Sequence, residues 1–394
     1  MSARDLPSLL ARHRQLSPTA SLHVSPLCLG TMNFGDAQKA QMGACPKDTA
    51  FSILDHFVSQ GGNFIDTANA YQAGQTEYWL GEWMAARQNR DDLVIATKYS
   101  GPYRPCPEIN GNSNSSSIPK TNRGGNGAKS MRLSLEASLR KLQTSYVDIL
   151  YVHWWDYATT IPELMQSLND LVTSGKVLYL GISDTPAWVV SKANEYARMA
   201  GLRQFVVYQG MWNASMRDLE RDIIPMCRSE GMGLCPYGVL NQGRFQTEEG
   251  FKAREQQNEG RKQTPLSEHD KSVSRVLEQV ASSLDPPATI TQVALSYVMQ
   301  KAPFVFPIVG GRMLEHIQGN IAGLSVSLTE DDVGRIDSAY PFDPGFPHTF
   351  LSGSLFQGAG APQRGAYNPS QVWLLKTLGT IDFHEEVQPL KPVP

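Results

Sequence analysis

The chain has 394 residues, 41% hydrophobic and 19% charged, a composition that excludes a largely disordered protein and supplies a sizeable core. The formal net charge of -3 argues against a nucleic-acid or anionic-membrane surface, since both need a concentrated excess of lysine and arginine. No apolar run approaches the roughly 20 residues of a membrane-spanning helix, so we expect a cytoplasmic protein that acts on small molecules.

The cysteines predict neither a disulfide framework nor a zinc site. They are Cys28, Cys45, Cys106, Cys227 and Cys235, an odd number without a C-x-x-C pair. We therefore expect a reducing compartment and no bound metal.

Eight short apolar runs are spread along the chain, and each is interpreted as a strand. They occupy 26–34, 63–68, 92–98, 146–155, 177–183, 205–210, 233–238 and 304–311. Segments with helical spacing of apolar residues separate them, and this alternation predicts right-handed βαβ units and a parallel sheet. Eight units favour a closed (β/α)8 TIM barrel over an open doubly wound sheet. The first run is not followed by G-x-G-x-x-G, which weakens a Rossmann interpretation.

The predicted barrel core covers about 22–340, so that 1–394 forms one domain with a C-terminal extension, 341–394. Two long loops, 99–130 and 238–268, follow the third and seventh strands. In a TIM barrel such loops lie on the C-terminal face, where active sites are built. The alternative for the first loop is a plain surface insertion.

Polar residues at three successive strand ends are the first catalytic candidates. Asp66 ends the second strand, Tyr71 follows in its loop, Lys98 ends the third strand, and His153 ends the fourth. The C-terminal ends of barrel strands face the active site, whereas the strand bodies are packed core. Each residue alone could be a turn, packing or solvated residue, but together the four make one chemical unit.

The chemistry of these four residues predicts carbonyl reduction. A phenol has a pKa near 10, and a nearby ammonium lowers it, so Lys98 would make Tyr71 a usable general acid. Asp66 would hold the charge of Lys98 in place. His153 would donate a hydrogen bond to an oxygen on which negative charge develops. Carbonyl reduction is the reaction that needs a proton donor and an oxyanion donor but neither a metal nor a nucleophile. The hydride for it must come from a cofactor.

These motifs resemble those of the aldo-keto reductases over nearly the whole chain, about Pro26 to Asn320. FIDTANAY is similar to the family's segment with Asp66 and Tyr71, IATK to the one with Lys98, and LYVHWWD to the one with His153. VHWWDYATTIPE and GISDTPAWVVSKAN resemble more closely the fungal aryl-alcohol dehydrogenase branch, which includes norsolorinic acid reductase and other polyketide-pathway reductases.

The resemblance implies a nicotinamide cofactor site. Ser183, Asp184 and Gln209 would contact the carboxamide, and Tyr237 would stack on the nicotinamide ring. The residues implied to bind the pyrophosphate are Gly238, Leu240, Gln242, Gly243 and Arg244. Gln209 and Tyr237 could instead be barrel-packing residues.

The segment PIVGGRMLEHIQGN is expected to complete the cofactor site. Backbone amides of Gly310 and Gly311 at a helix start suit a phosphate. The forked donors of Arg312 match a 2′-phosphate, so NADP(H) is the predicted cofactor. His316 and Asn320 fall where the family has residues near adenine.

Two positions depart from the residues common in the family. Asp184 stands where Asn is common, so the carboxamide contact could differ. Gly319 replaces a common adenine-contacting Glu, which could lower cofactor affinity. Neither departure touches the four catalytic candidates.

The predicted function is reduction of an aromatic or polyketide-derived aldehyde or ketone by an NADP(H)-dependent oxidoreductase. Trp154, Trp155, Tyr99 and Tyr103 would suit a flat aromatic substrate, although packing explains these rings equally well. Two alternatives stay open. One is a cofactor-bound regulatory subunit like the potassium-channel β subunits, and the other is a pathway enzyme that couples reduction to dehydration or rearrangement.

Overall fold

The computed structural model of the chain describes residues 6–102, 121–257, 266–358 and 361–392. The strands in these ranges are β1 (Arg14–Ser17), β2 (Ala20–Val24), β3 (Cys28–Gly30), β4 (Phe64–Asp66), β5 (Val94–Tyr99), β6 (Val147–Val152), β7 (Val177–Ser183), β8 (Phe205–Met211), β9 (Gly233–Tyr237) and β10 (Ile308–Val309). Residues 103–120, with Tyr103 and Cys106, and residues 258–265 lie outside the description, so the predicted loops 99–130 and 238–268 are described only in part.

Strands β3 to β10 form one parallel sheet in the order β10-β3-β4-β5-β6-β7-β8-β9. The sheet closes through the segment just before β10. The amide of Leu234 donates to the carbonyl of Phe304 at 2.9 Å, and the amide of Phe306 donates to the carbonyl of Leu234 at 2.8 Å. The predicted (β/α)8 TIM barrel is therefore confirmed.

Helices alternate with the barrel strands. Within the described ranges they are α1 (Lys39–Met42), α2 (Lys47–Ser59), α3 (Gln75–Arg87), α4 (Ala128–Leu142), α5 (Ile161–Thr173), α6 (Ala187–Ala200), α7 (Ile223–Glu230), α8 (Glu248–Gln257), α9 (Glu268–Ser283), α10 (Ile290–Lys301), α11 (Leu314–Ala322), α12 (Glu330–Asp337) and α13 (His348–Ser352). Across these parts of the chain, no helix has both the length and the apolar character that crossing a membrane would require.

Local sequence explains both kinds of element. Helix α5 begins where the Thr160 side chain accepts a hydrogen bond from the amide of Glu163, and it buries Leu164 and Leu168 on one face. All residues of β5 and β6 are buried. Such strands lie between the barrel interior and the surrounding helices, so they are apolar along nearly their whole length.

The N-terminal hairpin β1–β2 was not predicted, and its short strands carry too little apolar periodicity to be recognised. Its strands are antiparallel, and they bury Leu16, Ala20 and Val24 in the same cluster as the barrel-strand residue Phe64. A side chain at Gly233, the first residue of β9, would come within 2.3 Å of the carbonyl oxygen of Leu16. The hairpin thus covers the N-terminal end of the barrel.

Two predicted strands proved much shorter than their apolar runs. The run 26–34 contributes only Cys28–Gly30, and the run 304–311 contributes only Ile308–Val309. After β3 the chain turns, since the amide of Phe34 donates to the carbonyl of Thr31. Apolar composition marks burial, whereas strand bounds depend on which residues are paired with a neighbour.

The C-terminal extension contacts α7 and the segment between β8 and α7. The ring of Phe342 lies 4.7 Å from the guanidinium of Arg217 and 4.8 Å from that of Arg221. Further along, Glu386 forms an ion pair with Arg228 of α7 at 3.0 Å. The extension is therefore attached to the barrel at separate points, although its sequence shows no periodicity.

Candidate active site

The four catalytic candidates come from neighbouring strands β4, β5 and β6. Asp66 is the last residue of β4, Lys98 is the penultimate residue of β5, and His153 follows β6 directly. Tyr71 begins a short 3-10 helix after β4. Since parallel strands end at the same edge of a barrel, their exits bring these side chains together.

Lys98 connects three of the four candidates. The side chain is fully buried, and its Nζ donates to Asp66 Oδ1 at 2.5 Å, to the carbonyl of Thr67 at 2.8 Å and to the hydroxyl oxygen of Tyr71 at 3.0 Å. All three donor positions of an ammonium group are thereby used. The amine cannot move without breaking several hydrogen bonds, so its position beside the phenol is well defined.

Burial and charge act in opposite directions on the pKa values of these groups. Burial raises the pKa of Asp66, and the charge of Lys98 only partly offsets it. For Lys98, burial acts to lower the pKa, but Asp66 and Tyr71 together raise it above its usual value. These shifts describe an ammonium group that stays charged at neutral pH.

The predicted lowering of the Tyr71 pKa is wrong for the structure as it stands. Burial raises the pKa of Tyr71, and the opposing charge of Lys98 does not compensate for it. The phenol therefore keeps its proton at neutral pH. A protonated phenol held against an ammonium is suited to donate that proton when negative charge develops next to it.

His153 lies edge-on to Tyr71, with ring centroids 6.1 Å apart and an interplanar angle of 79°. Its backbone amide donates to the carbonyl of Tyr99 at 2.9 Å and to Ser100 Oγ at 3.2 Å. Burial, followed by the charge of Lys98, lowers its pKa to about 3. The imidazole is thus neutral at physiological pH and can donate one ring N–H.

A second group of polar residues lies at the ends of β7, β8 and β9. Ser183 pairs in register with Gln209, and the Gln209 side chain donates to Asp66 Oδ2 at 3.0 Å. Because β8 and β4 lie on opposite sides of the eight-stranded barrel, this bond crosses the interior. It joins the predicted carboxamide contacts to the four catalytic candidates.

Tyr237 and Asp184 contact each other in this second group. The phenol of Tyr237 donates to the Asp184 carboxylate, with oxygen distances of 3.2 and 3.3 Å. Asp184 adopts a positive φ of 41°. Partial burial of its carboxyl group raises the pKa to about 6, against the effect of the hydrogen bond from Tyr237.

The loop after β9 has an unusual backbone. Positive φ values occur at Gly238 (67°), Asn241 (48°), Gln242 (56°) and Gly243 (83°). Asn213, which sequence reasoning missed, donates from Nδ2 to the carbonyl of Gly238 at 2.8 Å. Leu240 packs against the core, and Arg244 lies 3.7 Å from Asp270 at the start of α9. The predicted pyrophosphate residues therefore share one constrained turn.

Gly310 and Gly311 lie between β10 and α11. The helix begins at Leu314, so the two glycines precede it rather than start it, which corrects the expected position. A side chain at Gly310 would meet the carbonyl oxygen of Gly30 at 2.9 Å, and one at Gly311 would meet His316 Cβ at 2.6 Å. Glycine is therefore required at 310 by a neighbouring backbone and at 311 by the His316 side chain.

Two buried donors near the second group make no hydrogen bond of good geometry among the described residues. One is Asn320 Nδ2 on α11, and the other is Ser183 Oγ, which lies close enough to the Asp184 carboxylate to help lower the pKa of that group. A buried polar group left unpaired costs roughly 1 to 3 kcal/mol, so native structures seldom keep one without a ligand or water. One donor lies among the predicted carboxamide contacts and the other among the predicted adenine contacts. The residues present thus fit a nicotinamide dinucleotide.

Arg312 and His316 lie between the two glycines and Asn320 in the chain. Arg312 is partly exposed beyond β10, and His316 is exposed on α11. Arg312 is close enough to Cys45 to act against the burial that raises the pKa of that thiol to about 11. The guanidinium therefore lies near the loop after β3, and its proposed 2′-phosphate contact remains a prediction.

The predicted aromatic cluster is only partly at the surface. Trp154 is 39% exposed, and Trp155 is partly buried against the core. Tyr99 is buried, and its hydroxyl donates to the carbonyl of Asn126 at 3.1 Å, so it is a core residue. Tyr103 lies outside the described residues.

Several contacts that support the four candidates have no signal in the sequence. The Thr31 hydroxyl donates to the backbone carbonyl of Asp66 at 2.9 Å, and Thr67 offers only its carbonyl to Lys98. Ser100 holds the backbone of His153. A polar residue near a strand end is the most that could have drawn attention to them.

The model of the aldo/keto reductase family matches residues 26–341. The chain is 63% identical to norsolorinic acid reductase B of Aspergillus parasiticus over 388 residues, 98% of each chain. It is 48% identical to norsolorinic acid reductase A of the same species over 392 residues, 100% of this chain and 96% of the relative. It is 50% identical to aryl-alcohol dehydrogenase [NADP(+)] of Phanerodontia chrysosporium over 355 residues, 88% of this chain and 90% of the relative.

These similarities confirm the resemblance predicted from the sequence motifs. The matched region contains the whole barrel from β3 to β10 and all four catalytic candidates. The relatives cover nearly the full chain, including most of the C-terminal extension. The chain is therefore an oxidoreductase that belongs to the aldo/keto reductase family.

Proposed function

We propose that the protein is an NADP(H)-dependent reductase that converts an aromatic or polyketide-derived aldehyde or ketone to the alcohol in fungal secondary metabolism. The observation that carries the proposal is the Lys98 ammonium, which contacts Asp66 and Tyr71 at once. The names of the norsolorinic acid reductases and of the NADP(+) aryl-alcohol dehydrogenase support this substrate class and this cofactor.

NADP(H), when bound, supplies the hydride. Ser183, Asp184 and Gln209 would hold its carboxamide, Tyr237 its nicotinamide ring, and Arg312 its 2′-phosphate. The remaining proposed cofactor residues are Gly238, Leu240, Gln242, Gly243, Arg244, Gly310, Gly311, His316 and Asn320. The donors of Ser183 and Asn320, which make no hydrogen bond of good geometry among the described residues, support the carboxamide and adenine ends of this assignment.

The protein's own residues manage the proton and the charge. Tyr71 holds a proton on its hydroxyl oxygen and donates it to the substrate oxygen, and Lys98 then stabilises the phenolate left behind. Asp66 keeps Lys98 in place and balances its charge within a buried site. Neutral His153 donates a hydrogen bond to the same substrate oxygen, and its fixed position avoids reorganisation during the reaction.

The test is NADPH oxidation with aromatic aldehydes, quinones and anthraquinone-like ketones, in the wild type and in Tyr71→Phe. We expect turnover in the wild type and a loss of about 10²- to 10⁴-fold in the variant, the range for general acid catalysis. NADPH affinity, measured by fluorescence titration, should change little because Tyr71 is not among the proposed cofactor contacts. Wild-type turnover in Tyr71→Phe would contradict the assignment.

Mass spectrometry of the product then tests the reaction itself. Simple reduction adds two hydrogens to the substrate. Loss of water in the product would instead indicate reduction coupled to dehydration. Binding of NADPH with negligible turnover across the panel, together with a stable complex with a membrane protein, would favour a regulatory subunit.

A further inference from the structure

A second buried ion pair lies behind the strand that carries Lys98. Glu77 of α3 is paired with Lys141 of α4, and the two side chains are 0% and 2% exposed. The hydroxyl of Thr97 donates to Glu77 Oε1 at 2.6 Å. Thr97 and Lys98 are adjacent in β5, so their side chains point to opposite faces of the barrel wall. The strand thus has a buried ion pair on each face.

Both lysines bind the short segment that joins Asp66 to Tyr71. Lys98 Nζ donates to the carbonyl of Thr67 at 2.8 Å, and Lys141 Nζ donates to the carbonyl of Asn69 at 3.3 Å. The amide of Asn69 also donates to the carbonyl of Lys98 at 3.1 Å. The segment is therefore held from both sides of β5, two residues before the phenol.

Side-chain contacts of Asn69 hold the same segment. Asn69 Nδ2 donates to the carbonyl of Gly101 at 3.1 Å and to Ser134 Oγ of α4 at 3.2 Å. Asn69 is completely buried. A small displacement of α4 would therefore be transmitted to the turn that presents Tyr71.

A close contact between helices α3 and α4 brings Glu77 and Lys141 together. A side chain at Gly81 of α3 would lie 2.1 Å from the carbonyl oxygen of Lys141, so the two backbones touch at this glycine. Glu77 lies one turn before Gly81 on the same helix face. The contact holds its carboxylate against the Lys141 ammonium.

Stability alone is a weak reason to keep such a pair. Removing two charges from water is costly, and replacing a buried ion pair with apolar residues of similar volume is often neutral or stabilising. Breaking only one partner is strongly destabilising, since it leaves a buried charge. A role in setting geometry accounts better for a pair that bonds to the turn before Tyr71.

We infer that Glu77 and Lys141 are positioning residues, which hold the Asn69 carbonyl so that the Tyr71 hydroxyl stays within hydrogen-bond distance of Lys98. This inference rests on the proposed general-acid role of Tyr71. The pair acts through the backbone of Thr67 to Asn69 and contacts neither the substrate nor the cofactor.

The main test is the double variant Glu77→Leu/Lys141→Met, which removes both charges together. We expect kcat to fall about 10- to 100-fold, since misplacement of a reacting group by about 1 Å has effects of this size. KM and the NADPH dissociation constant should stay within about 3-fold of wild type, a tolerance of roughly 0.6 kcal/mol. A weaker contact with Lys98 raises the pKa of Tyr71, so the alkaline limb of the kcat profile should move to higher pH.

A matched control is the Arg90–Asp148 ion pair, which lies beside the start of β5, far from Tyr71. Its atoms are 2.8 Å apart, and the side chains are 15% and 8% exposed. Arg90→Met/Asp148→Leu should change thermal stability but leave kcat and the pH profile unchanged.

A double variant with the kcat and pH profile of the wild type would overturn the inference. If that protein does not fold, Glu77→Gln decides instead, measured well below its melting temperature because the unpaired Lys141 charge lowers stability. Its amide oxygen can still accept from Lys141, and its amide nitrogen can donate to the Thr97 hydroxyl, so that the bond to Thr97 reverses its direction. Glu77→Gln should lower kcat about 3- to 10-fold with the same shift of the alkaline limb, roughly 1 kcal/mol of lost stabilisation, and an unchanged profile would overturn the inference. Tyr71→Phe separates the two failures, since its full activity would contradict the proposed function itself.

Discussion

The two sides of the barrel mouth differ in how their polar groups are satisfied. On the side of β4 to β6, Lys98 uses all its donors, and Asp66 accepts bonds from both Lys98 and Gln209. On the side of β7 to α11, the Asn320 amide has no partner among the described residues, and the Ser183 hydroxyl reaches only Asp184, without good geometry. The charged groups of the first side are paired within the protein, although the Thr67 hydroxyl and the Asn69 side-chain oxygen beside them are not. The second side has donors that a ligand can satisfy.

This difference matches the separate requirements of proton donation and cofactor binding. A proton donor needs a fixed position before the substrate arrives, because an environment that is already organised costs no reorganisation during the reaction. A cofactor that is exchanged after each turnover needs donors that are free to bind it. Substitutions that leave a charged group of the first side unpaired should therefore affect stability, and those of the donors on the second side should affect ligand binding.

The largest effect on stability is expected from Lys98→Met. The change leaves Asp66 buried without its partner, and breaking a buried pair in this way costs about 3 to 5 kcal/mol. Urea unfolding followed by circular dichroism measures the loss. Tyr71→Phe is the control, with an expected change below about 1 kcal/mol, typical for one lost hydrogen bond. Equal stability of Lys98→Met and wild type would contradict the conclusion that the buried pairing of Lys98 with Asp66 stabilises the fold.

A smaller effect is expected from pH, through His153. Its pKa is about 3 in the folded protein against an ordinary value of 6.5, so below pH 6.5 the unfolded chain binds a proton that the folded protein does not. Stability is therefore lost as pH falls from 6.5 towards 3, by roughly 1 to 2 kcal/mol between pH 7 and pH 5. Unfolding of wild type and His153→Gln at both pH values measures this contribution. A loss of the same size in the variant would assign it to other groups.

The smallest effect on stability is expected on the cofactor side. Ser183→Ala and Asn320→Ala remove donors that make no hydrogen bond of good geometry, so the free energy of unfolding should change by less than about 0.5 kcal/mol. NADPH affinity should nevertheless fall about tenfold in each variant, equivalent to one good hydrogen bond. Fluorescence titration measures the affinity, and denaturation without cofactor measures the stability. Unchanged NADPH affinity in both variants would contradict the proposal that the donors on this side bind the cofactor.

Much of the fold and of the first side could be predicted from the sequence. The apolar runs alternate with helical segments, and the polar residues that follow them, Asp66, Lys98 and His153, lie at strand exits as expected. The aldo-keto reductase motifs are contiguous in the chain, so they could be recognised without a structure. The bounds of β3 and β10 and the hairpin β1–β2 could not, because they depend on pairing rather than on composition.

The direction of the Tyr71 pKa shift could not be predicted from the sequence either. The spacing of Tyr71 and Lys98 suggested a lowered phenol pKa, but the degree of burial determines the direction of the shift. Tyr99, predicted beside the substrate, is a core residue because β5 is buried along its whole length. Neither result follows from residue types alone.

The order of the elements and the chemical groups at their ends follow from the amino-acid sequence, because both depend on short stretches of chain. Which of those groups meet, and which are removed from water, depends on the folded barrel. Gln209 and Asp66 are separated by 143 positions, yet they bond across the barrel, and Glu77 meets Lys141 only because two helices touch at Gly81. Hydrogen bonding and desolvation depend on distances in space, which the closed barrel sets.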